Sequence, residues 1–120
     1  MEYRINESEY RFMDILWDVE PVKSTELVKI CNEKLGWKKP TTFTVIRNLG
    51  EKEILKNDQS MVTSLVSRAC IQKQESNDFL EKKFNGSLPA FVATFLQDRK
   101  LTQKEAADIQ KLINEAMEEK

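Results

Sequence analysis

The sequence predicts a mainly α protein: a winged helix-turn-helix, made of three helices plus a short β-hairpin wing, followed by a C-terminal helical dimerisation region. Three observations carry that prediction. Only three Gly and three Pro punctuate 120 residues, so helices should dominate. Only one stretch turns β-like: Ile54-Leu55-Lys56, the turn cluster Asn57-Asp58-Gln59-Ser60, and the β-branched run Met61 to Val66. That hairpin follows three helical segments and precedes three more, the order of helices and wing in a winged helix.

The elements follow in turn. Ser8 can cap a first helix that carries Tyr10, Phe12, Met13, Leu16 and Trp17 near helical spacing, and Pro21 stops it. Ser24 can cap a second, with Leu27, Val28, Cys31 and Leu35 on one face. Gly36 ends that helix by permitting a left-handed residue. Pro40 suits the first turn of a third helix from about Lys39 to Glu51. After the hairpin, a fourth helix runs from about Arg68 to Phe84 and stops at Asn85-Gly86. Ser87 or Leu88 opens a fifth, striped by Leu88, Phe91, Val92, Phe95 and Leu96. Thr102, with Glu105 three residues on, has capping-box spacing for a sixth, striped by Ala106, Ile109, Leu112, Ile113, Ala116 and Met117.

Domain organisation follows from size. Residues 1–67 form the winged-helix domain and residues 68–120 a helical dimerisation domain. The second part is too short to bury two strongly apolar helices by itself, since fragments below about 60 residues bury too little surface to be stable alone. A second copy supplies the missing cover, so a homodimer is expected. Its contact residues are Phe84, Leu88, Phe91, Val92, Phe95, Leu96, Ile109, Leu112 and Ile113.

Composition excludes several classes. Charged residues are 32% and hydrophobic residues 40%, as in a globular protein. The chain has no His, which removes the commonest general base and neutral metal ligand. Its two cysteines, Cys31 and Cys70, form no CxxC, so neither a disulfide framework nor a four-ligand zinc site is expected. Cys31 reads as a buried small hydrophobe, Cys70 as structural, and Trp17 and Trp37 as packing residues. No metal and no cofactor is expected, and no catalytic grouping stands out. The polar start does not read as a signal peptide, and no run approaches a membrane span. A cytoplasmic protein that is not an enzyme and has no membrane partner is the expectation.

Net charge is −1, which for the whole chain argues against a generally basic nucleic-acid binder. The sum hides opposed segments. Residues 1–33 hold four basic and eight acidic residues; residues 34–56 hold six basic and two acidic, a local +4. The positive segment coincides with the third helix and its approach. At 100° per residue, Thr42, Val45, Ile46 and Leu49 share one arc and form the core face. Thr44 and Arg47 lie opposite, with Phe43 between and Thr41 on the flank. Arg47 has the fork to read guanine O6 and N7. Thr41 and Thr44 are short enough for base edges or phosphates, and Phe43 suits a thymine methyl. Lys38, Lys39, Lys52 and Lys56 suit phosphates, which position without reading sequence. Exposed amides at the helix N-terminus also favour phosphate. With Thr42, the residues expected to contact DNA are Lys38, Lys39, Thr41, Thr42, Phe43, Thr44, Arg47, Lys52 and Lys56.

The stretch Ser8 to Trp17, ending on Leu16-Trp17, resembles the first helix of the penicillinase-repressor/copper-operon-repressor family. Trp37 with Thr41 to Leu49 is similar to that family's recognition helix. Leu65-Val66-Ser67 resembles the end of its wing, and Phe79 to Leu88 the start of its dimerisation region. The resemblance implies a homodimeric transcriptional repressor on double-stranded inverted-repeat operator DNA, controlling antibiotic-resistance or metal-homeostasis genes. It also implies a sensor-controlled protease as partner in the resistance branch, cutting at the position of Thr94-Phe95. Thr94 stands there in place of the family's Asn. The Cys-rich C-terminal motif of the copper branch is missing from this sequence, which ends Glu118-Glu119-Lys120. The wing strand Met61-Val62-Thr63-Ser64 has no basic or aromatic residue. The rival expectation is a winged-helix protein-interaction module that does not bind DNA; the acidic pI, the uncharged wing and an exposed Phe43 favour it.

Overall fold

The computed structural model describes residues 2–118. By contact density the chain divides into two compact units, Met1–Asp78 and Phe79–Lys120.

The first unit starts with helix α1 (Glu7–Val19). Its cap is Asn6, not Ser8. The Asn6 side chain accepts from the Glu9 amide at 2.8 Å, and the Glu9 carboxylate accepts from the Asn6 amide at 2.9 Å. This reciprocal box needs an acid or amide three residues after the cap. Ser8 has Arg11 there and lies inside the first turn. A two-residue strand β1 (Val22–Lys23) leads into α2 (Ser24–Leu35). Lys23 holds the cap position without a side-chain bond, and Ser24 is already helical. The Ser24 amide instead donates to the Ser60 carbonyl at 2.8 Å. Gly36 ends α2 at φ 71°, as its lack of a Cβ permits.

Helix α3 spans Lys39–Glu51, the expected bounds. The wing is β2 (Leu55–Asp58) and β3 (Met61–Ser64), antiparallel, with Leu55 opposite Ser64 and Asp58 opposite Met61. Asn57 and Asp58 are therefore strand residues, and the turn narrows to Gln59-Ser60. Both take positive φ, 50° and 70°. That double left-handed geometry matches the twist of a two-residue hairpin, and neither residue is the glycine that usually occupies it. Strand β1 pairs with β3 (Val22 with Val62), giving a three-stranded sheet in the order β1-β3-β2. A two-residue strand carries no periodicity, so the sequence does not announce β1.

The core joins Phe12, Met13 and Leu16 of α1 to Leu27 and Cys31 of α2. Val22 of β1, Val45, Ile46 and Leu49 of α3, Ile54 just before β2, and Leu55 and Val62 of the wing complete it. Trp37 stacks on Phe12, rings 6.4 Å apart and 3° from parallel. Helix α4 (Arg68–Phe84) begins in this unit, where the Ser67 hydroxyl accepts from the Cys70 amide at 3.1 Å.

The second unit takes the last turns of α4, then α5 (Leu88–Leu96) and α6 (Gln103–Met117). Asn85 and Gly86, at φ 51° and 78°, end α4. Ser87 caps α5, and Thr102 with Glu105 forms the expected capping box on α6. Phe84 and Phe91 meet edge-to-face at 5.4 Å, and Phe79 joins both at 6.0 Å. Neither α5 nor α6 contains a buried residue. Leu88, Phe95, Leu112 and Met117 are exposed by 57, 50, 64 and 74%.

Candidate nucleic-acid interface

Helix α3 presents two unlike faces because its apolar residues recur at helical spacing. Thr42, Val45, Ile46 and Leu49 are buried; Thr41, Thr44 and Arg47 are exposed, and Phe43 is half-buried between them. Lys38 and Lys39 stand exposed at its N-terminus, and Lys56 on β2. The Lys39 ammonium lies 5.9 Å from the Phe43 ring centroid, a cation–π distance one turn along the helix.

Between α3 and the wing runs an open groove of about 610 Å³ lined by Phe43, Arg47, Gly50, Lys56, Asn57 and Leu65 among others. Arg47 thus reaches into a concave surface shared with β2. Sequence alone does not single out two of these residues. Asn57 reads as part of the turn, and only its pairing with Val62 on β3 puts it on the groove wall. Leu65 reads as one more residue of an apolar strand, yet it lies past the end of β3 and is 55% exposed.

Two residues of the expected DNA-contacting set do not belong on this surface, and a third feature weakens. Thr42 is fully buried. Its hydroxyl faces the Cys31 thiol without a full hydrogen bond. Burial pushes the thiol pKa up, and the neighbouring hydroxyl lowers it in part. Thr42 sits on the inward arc of α3, so nucleic acid has no access to it. A buried hydroxyl with no full partner costs on the order of 1 kcal/mol or more. Thr42→Val is therefore expected to raise stability by about 1 kcal/mol, by denaturant unfolding, and to leave DNA affinity unchanged.

Lys52 is engaged internally. Its ammonium sits 2.7 Å from the Glu9 carboxylate, whose side chain is only 4% exposed. A buried carboxylate must be paired, and Lys52 at the end of α3 supplies the charge. The α3 N-terminus is also a poorer anion site than its sequence implies. Pro40 has no amide hydrogen, and the Thr41 and Thr42 amides both donate to the Lys38 carbonyl, at 3.0 and 3.2 Å. The exposed set is then Lys38, Lys39, Thr41, Thr44, Arg47 and Lys56, with Phe43 half-buried among them and packed against the core.

In the second unit, the residues expected at a dimer contact are mostly exposed: Leu88, Val92, Phe95, Ile109, Leu112 and Ile113, with Phe84, Phe91 and Leu96 half-buried. Phe79, absent from the expected contact set, is 48% exposed beside Phe84 and Phe91. Thr94 and Phe95 lie in the last turn of α5. The Thr94 carbonyl accepts from the Gln97 amide, and Arg99 covers the Phe95 ring at 4.3 Å. No cluster of metal-ligating side chains and no helix long and apolar enough to cross a membrane occurs among the described residues.

A family model described as penicillinase repressor matches residues 5–115. The methicillin resistance regulatory protein MecI of Staphylococcus aureus is 25% identical over 116 residues, covering 93% of this chain and 94% of that protein. MecI of Mammaliicoccus sciuri is 24% identical over the same length and shares. The penicillinase repressor of Bacillus licheniformis is 22% identical, covering 93% of this chain and 91% of its own.

Proposed function

Because this chain belongs to the penicillinase repressor family, a family of transcriptional repressors and not of enzymes, we propose that it acts as a homodimer that binds double-stranded operator DNA. In this reading α3 enters the major groove and each protomer reads one half of an inverted repeat. An occupied operator then excludes polymerase. The observation that carries the reading is the exposed face of α3. Arg47 lines the groove beside the wing together with Lys56 and Glu53, Lys38 and Lys39 stand exposed at the helix N-terminus, and the opposite face is buried in the core.

Each residue takes a role by its chemistry. Arg47 reads a guanine edge; Thr41 and Thr44 approach bases or phosphates; Lys38, Lys39 and Lys56 bind phosphates. The genes controlled are read as β-lactam resistance genes, from the names of the relatives. Arg47→Ala is expected to weaken specific binding by about 1–3 kcal/mol and to relax preference at one base pair. Lys39→Ala should weaken all sequences alike and lower the salt slope by about one unit. Titration of operator and random duplexes at several salt concentrations checks both. Unchanged affinity and base preference in Arg47→Ala would sink the recognition-helix assignment. The apolar groove wall at Phe43 and Leu65 favours the rival, a protein partner; absence of any binding to duplex DNA at low salt would sink the operator reading.

Homodimerisation rests on the apolar faces of α5 and α6. Exposed patches of this kind mark interfaces, and an isolated 15-residue helix is marginal in water. Release is read as proteolysis between Thr94 and Phe95. That bond lies in the last turn of a nine-residue helix with no buried residue, so the turn can fray open for a protease. Cells challenged with a β-lactam should contain fragments ending at Thr94 and beginning at Phe95. Only full-length protein after induction would refute this site.

A further inference from the structure

Helix α3 ends on a residue that its backbone geometry does not favour. The Ile54 amide donates to the Leu49 carbonyl and the Glu53 amide to the Gly50 carbonyl, both at 3.0 Å. That pair of bonds closes a helix with a left-handed residue just beyond its cap. The cap is Lys52, and the left-handed residue is Glu53, at φ 62°. Glycine is the usual occupant, because a Cβ is crowded in this conformation. Gly36 ends α2 in the same region, at φ 71°.

No internal contact accounts for the glutamate. Its side chain is exposed and forms no ion pair among the described residues. The neighbouring Lys52 is committed to Glu9. What Glu53 does have is a place in the groove between α3 and the wing. The polar side chains lining that groove are Arg47, Glu53, Lys56 and Asn57. Arg47 and Lys56 only donate, Asn57 offers both a donor and an acceptor, and an ionised Glu53 only accepts. A groove built for phosphates alone would exclude a carboxylate, which repels them. A carboxylate suits a donor. In the major groove the cytosine amino group is the donor that Glu accepts from.

We infer that Glu53 is a specificity-determining residue of the interface: its carboxylate accepts from a cytosine amino group within the half-site and disfavours duplexes that offer no donor there. The inference deepens the operator-binding reading and rests on it. Backbone strain kept at an exposed residue with no internal partner is the pattern of a functional position. Two effects separate right from wrong sequence. On a matching half-site the carboxylate gains a charge-assisted hydrogen bond. On other DNA it meets thymine O4, guanine O6 or phosphate oxygens and is desolvated without a partner. Arg47 and Glu53 then divide the reading as donor and acceptor.

The test uses the full-length chain. Selection from a randomised duplex pool gives base preference at each position, and titration compares the best selected duplex with a random one. The wild-type protein should prefer cytosine at one position by about tenfold. Glu53→Ala keeps a Cβ at the strained position and removes the acceptor. It should flatten that preference to about threefold or less, and tighten binding to the random duplex by about threefold. Glu53→Gly should lose the same preference while melting about 4 °C higher, so the loss cannot be laid to a damaged fold. Variants that keep every base preference of the wild type overturn the inference and leave the operator reading standing. So does a gain in affinity that is equal on selected and random duplexes. A wild-type chain that binds no duplex at low salt overturns both.

Discussion

Replacing Ile109 and Ile113 together with Glu is expected to convert the protein to a monomer and to lower operator affinity by about 100-fold or more, the avidity gained when two modules are joined. The two residues lie one turn apart on α6 and are 42 and 47% exposed, so each protomer tolerates the change. A partner does not. Four introduced carboxylates would face one another across an apolar interface and lose their hydration. The thermal unfolding of the winged-helix unit should be unaffected, because no residue of α6 is buried. Sedimentation velocity reads the association state, and operator titration the affinity. A variant that still sediments as a dimer would place the interface elsewhere.

Lys52→Ala is expected to cost about 2 kcal/mol of stability and to leave the salt slope of DNA binding where it was. The magnitude follows from the unequal burial of the pair. Removing one member of a fully buried ion pair costs about 3–5 kcal/mol, because the survivor is left unpaired. Here the Glu9 side chain is 4% exposed but Lys52 is 39% exposed, so water already screens part of the interaction. Glu9 also keeps its hydrogen bond from the Asn6 amide. Glu9→Gln should recover part of the loss in a Lys52→Ala background, since it removes the stranded charge and keeps the shape. Urea unfolding measures the first effect and a salt titration the second. A reduced salt slope with unchanged stability would return Lys52 to the phosphate-binding set.

These two cases differ in what neighbouring residues reveal and what they hide. The apolar faces are visible because α5 and α6 repeat their apolar residues every three or four positions, and such a stripe must be covered by something. Lys52 escapes sequence reasoning because a lysine at the end of a basic helix looks the same whether it meets phosphate or a carboxylate. Only the packing of α1 against α3 brings Glu9, 43 residues away, within reach. Ser8 and Ser24 fail as caps for a different reason. Several polar residues near a helix start can serve, and the choice depends on bonds made elsewhere: Glu9 to Asn6, and Ser24 to the wing turn.

By itself the sequence determined the order of helices and wing, the bounds of α3, the stops at Gly36 and Asn85-Gly86, and the apolar stripes that α5 and α6 expose. These follow from local conformational preference and from period, which are written in neighbouring residues. Tertiary structure alone decided which members of the basic segment 34–56 stand free around Arg47. It withdrew Lys52 into an ion pair, buried Thr42, and brought Asn57 and Leu65 to the groove. It also set the Arg68 guanidinium 3.0 Å from the Asp14 and Asp18 carboxylates, 54 and 50 positions away in the chain. The physical reason is range. A charge or hydroxyl is assigned its work by whatever the fold sets within about 3 Å of it, and nothing local specifies that neighbour.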